Sequence, residues 1–184
     1  MIQKNIKKIL GEIKTVLSKV DEQEVDDLVG QIRAAKKIVA VGAGRVGMAT
    51  RGFAMRLGHL GLSAYMLGDA TVPSIGEDDL LLVSSGSGET QTIYDLVEIA
   101  KKNKANIALI TGNPKSRMGK LADVVVRLTA RSKTKAVEGF ASVQPMTTLN
   151  EQCLGLFFDA VVLQLMHEMN ETHDTLWARH SNLE

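Results

Sequence analysis

The chain has 184 residues, enough for one domain whose core closes without metal or disulfide. Its 45% hydrophobic and 23% charged residues are the composition of an ordinary globular protein, and a net charge of +1 gives no electrostatic case for nucleic acid or an anionic membrane as partner. Any anion must therefore be held by a local site.

Ile2, Ile6, Ile9, Ile13, Val16, Leu17 and Val20 recur at helical spacing with Lys4, Lys7, Lys8 and Lys14 between them, which predicts an amphipathic first helix. Lysines spread in this way do not read as a signal peptide. No stretch reaches the roughly 18 apolar residues that span a bilayer, so the expected location is the cytoplasm. A second helix is predicted over 21–35, on the stripe Val25, Leu28, Val29 and Ile32.

The pattern then changes to short runs rich in branched residues, at 37–41, 64–67, 80–83, 107–110 and 124–128. Most are apolar throughout, as strands covered on both faces of a parallel sheet are. Helical stretches fall at 46–60 and 90–102, and the connection through Pro114 and Lys115 to Leu121 has room for only a short helix. Strand alternating with helix predicts an α/β fold with right-handed crossovers. Residues 129–145 are polar and aperiodic and read as a long loop, followed by a last helix over 149–169 and a tail. One domain is expected, with N-terminal helices at 1–35, an α/β core at 36–130, and an active-site loop, helix and tail at 131–184.

Two glycine-rich loops compete for the function. Gly42-Ala43-Gly44-Arg45-Val46-Gly47 follows the first strand and has the GxGxxG form of a dinucleotide site, with Asp69 near the end of the second strand. Against that reading, little chain remains for a substrate domain. The second loop, Ser84-Ser85-Gly86-Ser87-Gly88-Glu89-Thr90, lies between the third strand and its helix. Glycines let backbone amides approach an anion, the hydroxyls add donors, and a helix N-terminus adds partial positive charge. No lysine follows, so it is not a nucleotide P-loop. Four hydroxyls in one small volume suit a phosphate monoester, although one serine alone would only cap a helix. If strands one and three are neighbours, both loops face one crevice.

Val39-Ala40-Val41-Gly42-Ala43-Gly44-Arg45, Phe53-Ala54-Met55-Arg56-Leu57-Gly58-His59 and Ser85-Gly86-Ser87-Gly88-Glu89-Thr90 together resemble the sugar isomerase (SIS) domain. Within it, Val143-Gln144-Pro145-Met146, Glu151-Gln152 and the ending His180-Ser181-Asn182-Leu183-Glu184 are similar to the 6-phospho-3-hexuloisomerases. The resemblance implies a three-layer αβα sandwich around a five-stranded parallel sheet, of flavodoxin-like or Rossmann-like topology. It also implies a homotetramer with sites near subunit interfaces. The activity implied is interconversion of 3-hexulose 6-phosphate and fructose 6-phosphate, in the ribulose monophosphate route of formaldehyde handling. Val46 stands where the family usually shows serine, which leaves the sugar itself open.

Moving a carbonyl to the next carbon needs a base that takes a proton and returns it, and stabilisation of the enediolate between. Glu151 is the first candidate. Thr148-Leu149-Asn150-Glu151 also fits a capping box, in which the carboxylate merely receives a backbone N–H, and the residues alone do not choose. The resemblance favours the base. It likewise assigns His180 to proton shuttling or ring opening, against the alternative of an exposed tail residue. Gly44, Arg45, Ser84, Ser85, Gly86, Ser87, Gly88, Glu89 and Thr90 are the expected substrate-binding residues. No HxxxH or HExxH spacing occurs, and neither metal nor cofactor is expected. The partner is a phosphorylated hexulose. A non-catalytic sugar-phosphate sensor is the alternative from another class, and a dinucleotide-binding protein the third.

Overall fold

A computed structural model describes residues 1–130 and 141–183. The elements are α1 (Ile2–Leu17), α2 (Glu22–Ala34), β1 (Ile38–Gly42), α3 (Gly44–His59), β2 (Ala64–Met66), β3 (Leu80–Ser84), α4 (Gln91–Lys102), β4 (Asn106–Thr111), β5 (Val124–Arg127), α5 (Thr148–Glu168) and α6 (His173–Ala178). All five strands are parallel, in the order β2-β1-β3-β4-β5.

The two-residue period of the strands divides the core. Ile38, Ala40, Leu80, Leu82, Ala108 and Ile110 face α2, α3 and α5, where the Phe53 and Phe158 rings stack with centroids 4.1 Å apart. Val39, Val41, Leu81, Val83, Ile107 and Leu109 face α4 and the connecting segments around Val72 and Met118. Three layers result. α1 lies outside them, with Ile13 and Val16 buried against Leu149 and Cys153 of α5. Burial pushes the Cys153 thiol up to about 11, which leaves it a packing residue at neutral pH.

Two expectations change. The connection through Pro114 forms successive turns and no helix. The tail carries α6, whose start is closed by Thr172 and Thr175, each side chain receiving the other's backbone N–H. Six residues are too few to show a period, and threonine replaces the usual glutamate of that cap. Ten positions of the predicted loop over 129–145, residues 131–140, lie outside the described residues. Among the described residues no helix is long and apolar enough to cross a membrane.

Candidate functional site

β1 and β3 are adjacent, with Gly42 in register with Ser84. The chain leaves β1 toward one sheet edge and β3 toward the other, so a crevice opens between their carboxyl ends. A cavity of about 330 Å³ occupies it, at the small end of the range for ligand sites. Both glycine-rich loops line it, and so does the start of α5.

Three helices begin at this cavity, α3 after Ala43, α4 after Thr90 and α5 after Thr147, and none has a side-chain cap. Of the other three, α2 and α6 are capped by Asp21 and Thr172, while α1, with Met1 at its N-cap, is not. Uncapped helix starts leave N–H groups without partners and project positive potential. Three converging on one hollow give it the positive potential that favours an anion.

The serine loop is arranged to the same end. Gly112 N donates to the Gly86 carbonyl at 3.0 Å, which ties that peptide to β4. A trans peptide points its N–H opposite to its C=O, so the Ser87 amide faces away from β4. The amides of Gly86, Ser87 and Thr90 donate to no protein acceptor among the described residues. Ser85 Oγ accepts the Gly88 N–H and Ser87 Oγ accepts the Glu89 N–H, both at 3.2 Å, so each hydroxyl proton stays available as a donor. Ser84 Oγ, at 1% residue exposure, is buried in the cavity wall with no hydrogen-bond partner among the described residues.

Glu151 stands across the cavity from this loop. The capping box is not formed: helix α5 starts at Thr148, which puts Glu151 one position too late, and the N-cap residue is Thr147. The Thr147 hydroxyl instead donates to Glu151 Oε1 at 2.7 Å. Arg45 Nη1 lies 2.8 Å from the buried Oε2 and donates to Thr148 Oγ1 at 3.2 Å, while Oε2 receives no aligned hydrogen bond among the described residues. The contact is an ion pair with a solvent-facing guanidinium.

Gly44, Arg45, Ser84, Ser85, Gly86, Ser87, Thr90 and Glu151 therefore share one cavity. Gly88 and Glu89 are placed behind it. Arg117 donates to Glu89 through its backbone N–H at 2.9 Å and its Nε at 2.8 Å, while its guanidinium covers the Tyr94 ring. These hydrogen bonds, the backbone one first, hold the Glu89 carboxyl below its ordinary 4.5. A lowered folded value means the stabilisation is full above 4.5 and is lost as pH falls through that lower value. The pair is about one-third exposed, so Glu89→Gln is expected to lower Tm by only about 1–3 °C at neutral pH. Melts taken toward acid should show that gap closing.

His180 lies elsewhere, in a second hollow of about 300 Å³ with Arg56, His59, His173 and Trp177. Its ring centroid is 5.2 Å from that of His59 and 4.9 Å from that of Trp177. Arg179 beside it donates to the His59 carbonyl at 3.0 Å and pairs with Glu171. His180 is thus a held, half-buried residue and not a loose tail, but it does not line the Glu151 cavity.

Of the GxGxxG glycines, Gly42 and Gly47 serve packing. A Cβ on Gly47 would stand 2.4 Å from the Gly42 carbonyl oxygen, so helix and strand meet there only without side chains. Asp69 is paired with Arg51 at 2.9 Å. Wall residues that the sequence reading did not name for binding include Met146, Thr147, Thr148 and Asn150, around the start of α5. The hydroxyl density of Thr147-Thr148 was the available signal.

The SIS domain family model matches residues 31–155 of the chain. A Bacillus subtilis (strain 168) protein named 3-hexulose-6-phosphate isomerase is 36% identical over 179 residues, covering 97% of each chain. One of the same name from Mycobacterium gastri is 40% identical, covering all of this chain and 92% of its own. Among solved structures, a Methanococcus jannaschii protein whose crystal structure inferred a molecular function of 3-hexulose-6-phosphate isomerase superposes with a TM-score of 0.85. It is 32% identical, covering 98% of this chain and 99% of its own. A matched domain with its two glycine loops on one switch-point cavity, and relatives similar from end to end, leave one conclusion: the chain belongs to the SIS domain family.

Proposed function

We propose that the chain is an isomerase interconverting 3-hexulose 6-phosphate and fructose 6-phosphate. One observation carries this reading: a buried carboxylate oxygen of Glu151, without a directed hydrogen bond, shares a cavity with three uncapped helix starts and the serine hydroxyls. An anion cradle alone would suit a sensor. A carboxylate beside it, oriented by Thr147 and paired with Arg45, suits proton transfer on the cradled sugar.

The 6-phosphate is held by the amides of Gly86, Ser87 and Thr90 and by the hydroxyls of Ser84, Ser85 and Ser87. Glu151 takes the proton from C2 of the 3-hexulose, leaving a 2,3-enediolate whose charge Arg45 and the helix starts stabilise. Glu151 returns that proton to C3, while the O2 proton passes to O3. The carbonyl has then moved to C2, with no net oxidation. Thr147 orients the carboxylate through its 2.7 Å hydrogen bond.

His180 assists ring opening or the hydroxyl-proton transfer from a neighbouring copy of the chain. In support, it sits outside the Glu151 cavity of its own chain, on a segment held by Arg179. Exposed Met48 and Met55 on α3 and Leu156 and Leu163 on α5 offer apolar surface for such contacts, consistent with a homotetramer. Cytoplasmic action in the ribulose monophosphate route follows from the same reading. Val46, in the first turn of α3, packs partly into the core and gives the wall a methyl face where the family usually has a hydroxyl.

The direct test is conversion of 3-hexulose 6-phosphate to fructose 6-phosphate, coupled through glucose-6-phosphate isomerase and dehydrogenase. Thermal stabilisation by fructose 6-phosphate and none by NAD is expected alongside. Stabilisation without turnover would leave a sensor. His180→Ala should slow turnover about 10²-fold, the lower range for a positioned acid or base. An unchanged rate would remove it from the chemistry.

A further inference from the structure

Glu12 sits on α1, a helix that contributes nothing to the cavity wall, yet its carboxylate gathers the segment leading into α5. Oε1 accepts the Val143 N–H at 2.7 Å, and Oε2 accepts from Ser142 Oγ at 2.8 Å and Gln144 Nε2 at 3.0 Å. Ser142 Oγ in turn accepts the Gln144 N–H at 3.0 Å. Burial alone would raise the Glu12 carboxyl, but these donors outweigh it and hold the group below its ordinary value. The ionised form is the one all three donors need.

Two residues beyond Gln144, Met146 has a φ of 54° and stands in the cavity wall. A side-chain-bearing residue keeps left-handed backbone only where both flanks are fixed. Helix α5 fixes one flank and Glu12 the other. The next residue, Thr147, is the one that holds Glu151 Oε1. α1 is itself seated on α5 through Ile13 and Val16.

We propose that Glu12 is a positioning residue for the isomerisation, latching residues 142–144 to α1 so that Thr147 holds the Glu151 carboxylate at working geometry over the sugar. This rests on the reading of Glu151 as the base. The amides and hydroxyls assigned to the phosphate all come from the β3 loop, and none of them bonds to residues 142–144, so the two roles separate kinetically.

Glu12→Ala is expected to lower kcat about tenfold or more, as small misplacements of a reacting group do. KM should stay within about threefold, because cradle contacts serve ground and transition states alike. The swap Glu12→Gln with Gln144→Glu keeps an oxygen for the Val143 N–H and reverses the side-chain pair, so it should recover kcat over Glu12→Gln alone. Amide hydrogen exchange across 142–150 is followed in parallel, and should quicken in Glu12→Ala and return in the swap. Unchanged kcat and exchange in Glu12→Ala overturn the latch, as does a swap no better than Glu12→Gln. If Glu12→Ala does not fold, Glu12→Gln and the swap decide by the same two readouts. If the unmodified chain does not turn the sugar over, the isomerase reading fails, and the latch stands or falls on exchange alone.

Discussion

Glu151→Gln is expected to abolish turnover while leaving the sugar phosphate bound. The loss should lie between about 10²- and 10⁴-fold in kcat, the range for removal of a positioned general base. The substitution keeps shape, and the amide oxygen can still accept from Thr147, which now donates at 2.7 Å. It removes the second carboxylate oxygen, which is buried and has no directed hydrogen bond. Arg45 loses its ionic partner, but its side chain is 58% exposed and turns to solvent at a cost below about 1 kcal/mol. Fructose 6-phosphate should therefore still raise the melting temperature of the variant. A second readout isolates the proton step: in D2O the C3 hydrogen of fructose 6-phosphate should wash out with the unmodified chain and persist with the variant. Near-normal activity, or undiminished exchange at C3, would remove Glu151 as the base.

Much of this site could be read before folding, and the part that could not has a common cause. The strands announce themselves because a sheet covered on both faces needs apolar residues at every position, as in the run from Leu80 to Val83. The serine loop is legible because its residue types are those an anion needs. What periodicity cannot carry is adjacency. That β1 neighbours β3, and so brings Arg45 and Ser87 to one crevice, is a tertiary fact. The Glu151 ambiguity turned on a helix boundary one residue earlier or later, and pattern reading does not resolve boundaries that finely. Glu12 reaches Ser142 across 130 positions of sequence, with no local signal at either end. His180 shows the opposite limit. Its assignment came from resemblance, and within one chain the fold puts it in a different hollow from Glu151.

Gly88→Ala is expected to damage both stability and binding. Gly88 has a φ of +65°, where an alanine costs about 1–2 kcal/mol. The added Cβ would also stand 2.0 Å from Ser116 Oγ and 2.5 Å from Ser116 Cβ, and Ser116 is buried. Relieving that overlap costs about a further 1–3 kcal/mol. A total near 3 kcal/mol lowers Tm by roughly 6–12 °C in a domain of this size. Gly44→Ala separates the two causes, since Gly44 has a φ of +59° but open space where its Cβ would go. It should lose only about 2–4 °C per kcal/mol of backbone cost. Gly88→Ala with Ser116→Gly removes the overlap and keeps the strain, so it should recover part of the deficit. The functional loss has its own route. Gly88 N donates to Ser85 Oγ and the Ser85 carbonyl, and the Gly88 carbonyl accepts from Met118 N. Pushing Gly88 off Ser116 therefore displaces Ser85 from the phosphate cradle. Affinity for fructose 6-phosphate should fall about tenfold or more, as for loss of a charge-assisted hydrogen bond. Equal Tm losses in Gly88→Ala and Gly44→Ala would mean that contact with Ser116 is not what sets the loop.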